Sequence, residues 1–275
     1  MADLAPGIAS ALRPLVRRIV APNAGVLTLA GTNTYLVGID EVAVIDPGPD
    51  DASHVDAIAG CGGDRIRWIL VTHTHRDHWE AAAALKARTG AEVLGFRAAG
   101  AFVPDREIGD KGILEGTEFR LVALHTPGHA SDHLCYLLED DRMLFSGDHV
   151  IGGSSVVVAP PDGDMAAYLR SLERLQTLRP PLRSIAPCHG DVIDDPKRAL
   201  ADYLRHRQER ERAILGALQA GATTVDQIVD QVYAEVPAVL HPAARQSVHA
   251  HLLKLLAEHR VVGGGLDGTW RPIAA

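Results

Sequence analysis

The run Thr72-His73-Thr74-His75-Arg76-Asp77-His78 places four metal-capable side chains within six residues. Imidazole nitrogens and carboxylate oxygens are donors that zinc, manganese and iron all accept. His73 and His75 are two apart, so an extended backbone points them the same way. Asp77 and His78 are adjacent and can face a different target. That spacing suits two ions side by side better than one. Further donors recur downstream: His129 in Thr126-Pro127-Gly128-His129, Asp148 in Ser146-Gly147-Asp148-His149, and His189 in Pro187-Cys188-His189-Gly190. A binuclear hydrolytic site needs imidazoles, carboxylates and a bridging group, with ions roughly 3.5–4 Å apart. These five histidines and two aspartates meet that need.

The surrounding sequence shows what positions them. Trp68-Ile69-Leu70-Val71 is apolar and partly β-branched, which reads as a buried strand ending at the cluster. Strand-like runs also precede the other donors: Arg120 to Leu124, Arg142 to Phe145 and Arg183 to Ala186. Each donor sits among Gly or Pro, as in a tight turn. Ile45-Asp46-Pro47-Gly48 reads as another strand end, with Asp46 placed to fix a ligand histidine or its loop by hydrogen bonds.

His73-x-His75-x-Asp77-His78 followed by His129, Asp148 and His189 resembles the metallo-β-lactamase superfamily. The resemblance implies an α/β fold, an αββα sandwich with the metals at one edge. It implies that His73, His75 and His129 hold metal 1, that Asp77, His78 and His189 hold metal 2, and that Asp148 bridges. Two divalent ions are expected, Zn2+ first, with Mn2+ or Fe as alternatives. Such ions lower the pKa of a shared water from 15.7 to near 7. Asp77 could orient that water or take its proton. His133 and His149 are candidate proton donors to a leaving alkoxide, being neighbours in sequence of ligands. Arg76 is a candidate contact to a substrate anion, or a surface ion-pair partner.

Strands are expected at Val16–Val20, Thr34–Val37, Val42–Ile45, Glu92–Gly95, Glu118–Leu124, Leu134–Leu138, Met143–Phe145 and Ser184–Ala186. Helices are expected at Ala52–Ala59, Ala81–Arg88 and Met165–Leu178. Residues 1–14 read as a loosely held arm, and Arg198 to Arg212 as a charged helical connector. A second unit follows, with helices over Ala213–Ala220, Val225–Tyr233 and Ala243–His259. A hairpin is expected across Gly263-Gly264-Gly265. Three helices and a hairpin make a winged helix. The domains are therefore expected at 1–205 and 206–275.

This layout resembles the lactamase-β-like endoribonuclease family, whose pattern also matches Gly31-Thr32-Asn33-Thr34-Tyr35-Leu36-Val37-Gly38 and Asp132-His133. Cleavage of single-stranded RNA is the leading expectation from it. The chain departs from that family at Trp79-Glu80-Ala81, where Gly-Gly is usual, at Cys188, where Gly is usual, and in the apolar run Val156 to Pro161. A glyoxalase-II-like thioesterase or other ester or lactone hydrolase uses the same ligand set. A third reading is a nucleic-acid-binding regulator that reads DNA with Ala243–His259, which offers Arg245, Gln246, His249, His251 and Lys254. Winged helices also serve as protein contacts, which leaves a homodimer open.

Composition bounds these readings. The 275 residues carry a net charge of −8 and only 4% aromatics, not the profile of a typical nucleic-acid binder. Residues 206–275 hold seven basic and seven acidic side chains, so the excess lies in residues 1–205, 20 against 28. No apolar run approaches the ~20 residues of a membrane span. Three cysteines, Cys61, Cys135 and Cys188, form no disulfide framework, so a cytoplasmic, reducing setting is expected.

Overall fold

Fourteen strands and seven helices are found among residues 5–273, the part of the chain described by the computed structural model. The first sheet has the order β1 (Ser10–Arg13), β2 (Val16–Val20), β3 (Asn33–Val37), β4 (Val42–Ile45), β5 (Ile66–Leu70), β6 (Glu92–Gly95), β7 (Arg106–Glu107). It is antiparallel as far as β4 and parallel from β4 onward. The second runs β12 (Ser184–Pro187), β11 (Met143–Gly147), β10 (Leu134–Leu138), β9 (Arg120–His125), β8 (Ile113–Glu115).

The two sheets enclose one core. Val37, Ile45, Leu70 and Leu94 from the first meet Leu121, Tyr136, Met143 and Phe145 from the second. The other face of the first sheet buries Leu36, Val44 and Ile69 against α1 (Ala52–Gly62) and against Ala82 and Leu85 of α3 (Ala82–Thr89). Burial on both faces explains why these strands read as continuous apolar runs. Asp51 caps α1 by accepting from His54 N at 2.9 Å, and left-handed Gly63 ends it. Between β5 and α3 lies α2 (Arg76–Trp79), a single turn carrying Asp77 and His78.

Two compact units are distinguished. The first comprises residues 1–126, 132–154 and 178–196; the second comprises 127–131, 155–177 and 197–275. The second unit contains α4 (Met165–Gln176), α5 (Pro196–Gln219) from residue 197 onward, α6 (Val225–Val232), α7 (His241–Ala257) and the hairpin β13 (Val261–Gly263) with β14 (Trp270–Pro272). Ile214, Leu218, Ile228, Val248, Leu252, Leu255 and Trp270 form its core. A capping box joins Thr224 and Gln227 at the start of α6.

Several elements differ from expectation. Part of the supposed arm is β1, paired with β2 through Ala11 and Arg17; residues 1–4 lie outside the described part. The connector and the following helix are one helix, α5, because neither Gly nor Pro interrupts residues 197–215. Residue 205 therefore falls inside α5. Pro242 begins α7 rather than preceding it, since the first helical turn needs no proline N–H. Strands β7 and β8 were too short to carry a periodic signal.

Candidate metal centre

The metal-binding loop leaves β5 at Thr72 and is anchored by Asp46 at the end of β4. Asp46 is 1% exposed and has a left-handed backbone, φ 49°, a conformation Asp tolerates better than most residues. Its carboxylate accepts from Thr72 N at 2.7 Å, Thr72 Oγ1 at 2.7 Å and His78 Nδ1 at 2.9 Å. The support expected from Asp46 is thus given to both loop and ligand. Thr72 Oγ1 donates to Asp46, so it accepts from His73 Nδ1 at 3.0 Å. Both imidazoles are fixed as Nδ1–H tautomers, which leaves Nε2 as the donor to a metal.

His73 Nε2 and His75 Nδ1 converge at 3.0 Å. Two zinc–nitrogen bonds of 2.0–2.1 Å at a tetrahedral angle end about 3.3 Å apart, so this spacing fits one shared ion. Ligand atoms of His73, His75 and Asp148 all lie within 4.8 Å of one another. Asp77, His78 and His189 form another such group. There His189 Nε2 stands 3.3 Å from Asp77 Oδ2 and 3.3 Å from Asp148 Oδ1. His78 Nε2 is fully buried, has no hydrogen-bond partner, and faces Asp148 Oδ2 at 3.6 Å and Asp77 Oδ2 at 3.7 Å. Asp148 is near both groups, as a bridging ligand requires.

Electrostatics agree with this fit. Burial disfavours charge on His78 and His189, but the Cys188 sulfur beside His78 and the surrounding carboxylates, Asp148 prominent among them, outweigh it and raise both imidazoles. Burial pushes Asp77 up, yet His78 and His189 hold it at about 2. The pocket therefore calls for positive charge, which protons or cations can supply. His75, exposed at the loop tip, is lowered by desolvation and by His78.

Glycines make the close approach possible. Gly147 has φ 48°, and a Cβ there would lie 2.7 Å from both His133 Nε2 and Thr72 Oγ1. Gly190 has φ 83°, and its Cβ would lie 2.2 Å from Gly152 O. The turn carrying His189 is clamped from β3. Asn33 Nδ2 donates to Pro187 O at 2.9 Å and Gly190 O at 2.8 Å, and Tyr35 Oη donates to Pro187 O at 2.7 Å. This clamp was not read from the sequence, although Asn33 and Tyr35 lie in its matched motif. Thr74 Oγ1 donates to buried Asp132 at 2.7 Å, a second loop anchor that was missed.

His129 belongs to the second unit. Its Nδ1 donates to Val157 O at 2.7 Å, which leaves Nε2 as the nitrogen that could ligate an ion. The proton-donor role expected of His133 and His149 is not what the structure favours. Both are 0% exposed. His133 Nε2 accepts from Asp148 N at 3.2 Å, and Nδ1 donates to Thr126 Oγ1 at 3.0 Å. His149 packs against the His133 ring at 5.7 Å. These rings brace the Asp148 turn from behind. Arg76 is 85% exposed and pairs with Glu80. Cys188 Sγ lies near His78 and Asp46, but burial holds it protonated and it donates to Asn33 O at 3.6 Å.

The profile of the metallo-beta-lactamase superfamily matches residues 27–189, and that of the beta-lactamase associated winged helix domain matches residues 224–270. The chain is 34% identical to Lactamase-like protein aptB of Emericella nidulans, over 90% of this chain and 82% of that one. It is 33% identical to an atrochrysone carboxyl ACP thioesterase of Aspergillus chevalieri, over 94% and 85%. Its fold matches a beta-lactamase domain protein from Burkholderia ambifaria with a TM-score of 0.81 at 21% identity, covering 99% and 96%.

Proposed function

We propose that this chain, which belongs to the metallo-beta-lactamase superfamily and is a hydrolase of that fold with an appended winged helix, cleaves acyl thioesters with the help of two divalent ions. His73, His75 and His129 would hold one ion, Asp77, His78 and His189 the other, and Asp148 would serve both. Bound there, zinc-like ions supply Lewis acidity and a water deprotonated near neutral pH.

The observation that carries the thioester reading is the engagement of His133. Both of its ring nitrogens are bonded within the protein, so it is not poised to protonate a leaving group. A thiolate, with a parent pKa of about 8.5, leaves without that help far more readily than an alkoxide does. Asp77, held at about 2, stays ionised through the working pH range. This favours the orienting or ligating role over the proton-accepting one. The 33%-identical relative named as a thioesterase supports the same choice.

Cleavage of single-stranded RNA is the second reading. The shared domain layout supports it, but the charges of α7 weigh against it. Arg245 is committed to Asp226 and Asp267, each at 2.7 Å; Lys254 is committed to Glu211 and Glu258, each at 2.8 Å; His251 is buried. Phosphate binding needs uncommitted cations. The same commitments weigh against a DNA-reading regulator and leave the winged helix as a protein contact, with a homodimer as the arrangement to test. Cys61, Cys135 and Cys188 form no disulfide, which suits a reducing, cytoplasmic setting, and no helix among the described residues is long and apolar enough to cross a membrane.

The test is zinc- or manganese-loaded protein offered aryl and alkyl acyl-thioesters, with released thiol as readout, beside end-labelled single-stranded RNA. Thiol release that is lost in Asp148→Ala and Asp77→Ala supports the proposal. RNA cleavage with the same losses, and inert thioesters, would replace it with the second reading.

A further inference from the structure

Arg18 on β2 is 3% exposed, and its Nε and Nη1 have no hydrogen-bond partner. Register fixes where it points. Val16, two residues earlier, lies in the core between the sheets, so Arg18 faces the same gap. Its cross-strand neighbour is Tyr35. Tyr35 packs on Phe145 of the second sheet, with ring centroids 5.1 Å apart. Phe145 pairs with Ala186 of β12, and two residues before Ala186 stands Ser184. Ser184 shares the inward face of Ala186; it is 1% exposed, and its Oγ has no partner. An orphaned cation and an orphaned hydroxyl thus enter the gap from opposite sheets, beside β12.

Arginine cannot shed its proton to escape burial. An uncompensated charge inside a protein is strongly disfavoured. Among the described residues no acid closes an ion pair with Arg18. A water would satisfy hydrogen bonds and leave the charge standing. We propose that this gap binds a small monovalent anion, halide- or formate-sized, between the Arg18 guanidinium and the Ser184 hydroxyl. The anion ties β2 to β12 at the foot of the turn that presents His189. The inference does not depend on which ester the protein hydrolyses.

The experiment is thermal unfolding of the full chain in sodium bromide against sodium gluconate at matched ionic strength, for wild type, Arg18→Met and Ser184→Ala. Crystals grown in bromide would be measured at the bromine absorption edge. Expected is a melting temperature that rises about 3–5 °C for each tenfold increase in bromide above its Kd. That rise should be absent in Arg18→Met and weaker in Ser184→Ala, with an anomalous peak beside Arg18. A wild-type response equal to that in gluconate, or no peak in well-diffracting wild-type crystals, overturns the proposal even if Arg18→Met does not fold.

Discussion

Replacing Asp46 by Asn keeps shape and removes one charge, and the effect can be worked from three bonds. The native carboxylate accepts from Thr72 N, Thr72 Oγ1 and His78 Nδ1. An amide offers one acceptor oxygen and a donating NH2 group. With the oxygen kept on Thr72 N, the NH2 faces Thr72 Oγ1 and His78 Nδ1. The hydroxyl can rotate and accept. His78 Nδ1 can accept only by moving its proton to Nε2, the nitrogen that faces Asp77 and Asp148. The substitution therefore takes away the lone pair that would ligate metal 2. Bonds to a charged group contribute about 1.5–3 kcal/mol each, and only part of this set is recovered. We expect the metal-free protein to lose about 2–4 kcal/mol in urea unfolding. Metal affinity should fall by about 10–100-fold in chelator competition. Nitrogen NMR at a pH where His78 is neutral should show its tautomer inverted. A loss under about 0.5 kcal/mol with the tautomer unchanged would refute the view that Asp46 sets the state of His78.

Other perturbations have readable outcomes. Gly147→Ala puts a methyl against His133 and Thr72 in a left-handed turn; hydrolysis should fall by at least about tenfold, while a circular-dichroism spectrum unlike wild type would assign the loss to misfolding instead. His54 is buried and bonded to Thr34 Oγ1, and desolvation lowers it to about 4. Its folded pKa lies below the unfolded one, so its contribution is complete above pH 6.5 and is lost as pH falls toward 4. That loss amounts to about 3 kcal/mol, and His54→Gln should flatten this limb of a stability-versus-pH curve. Glu211 is held at about 2 despite burial, because His251 stands 3.6 Å away and Lys254 donates to it at 2.8 Å. Its contribution is present above pH 4.5 and lost between 4.5 and 2; Glu211→Gln should lower the stability of the winged-helix unit at pH 7 by about 2–3 kcal/mol in urea. Chelation of loaded protein should abolish thiol release and lower the melting temperature, and added zinc should restore both.

How much of this was legible in the sequence depended on range. The donors of the first unit were readable because four cluster where β5 ends and the others lie at strand ends in Gly- or Pro-bearing turns, and the structure groups them as the spacing suggested. Asp46 was readable because Pro47-Gly48 marks the turn. The Asn33 clamp was not, because its partners at Pro187 and Gly190 are more than 150 residues away and leave no local trace. Nor could sequence show that His133 is bonded at both ring nitrogens. Adjacency to a ligand suggested chemistry, and packing assigned it to support. The winged helix was legible from apolar spacing in α7, whereas the fate of its basic residues was not. Arg245 reads the same whether it meets phosphate or, as here, Asp226 and Asp267.

The wide separation of the donors along the chain also orders events during synthesis. His73, His75, Asp77 and His78 leave the ribosome while the segment carrying His189 has not yet been made. At about 5–20 residues per second the gap is about 6–22 s. Through that interval the early histidines lack His189 and the Asn33 grip on residues 187–190, and for the first part of it Asp148 as well. They can offer a passing ion only an incomplete, mobile set of donors. Selection among metals thus falls to the closed sandwich rather than to the nascent loop, and a chain halted before residue 189 lacks a donor of the second group.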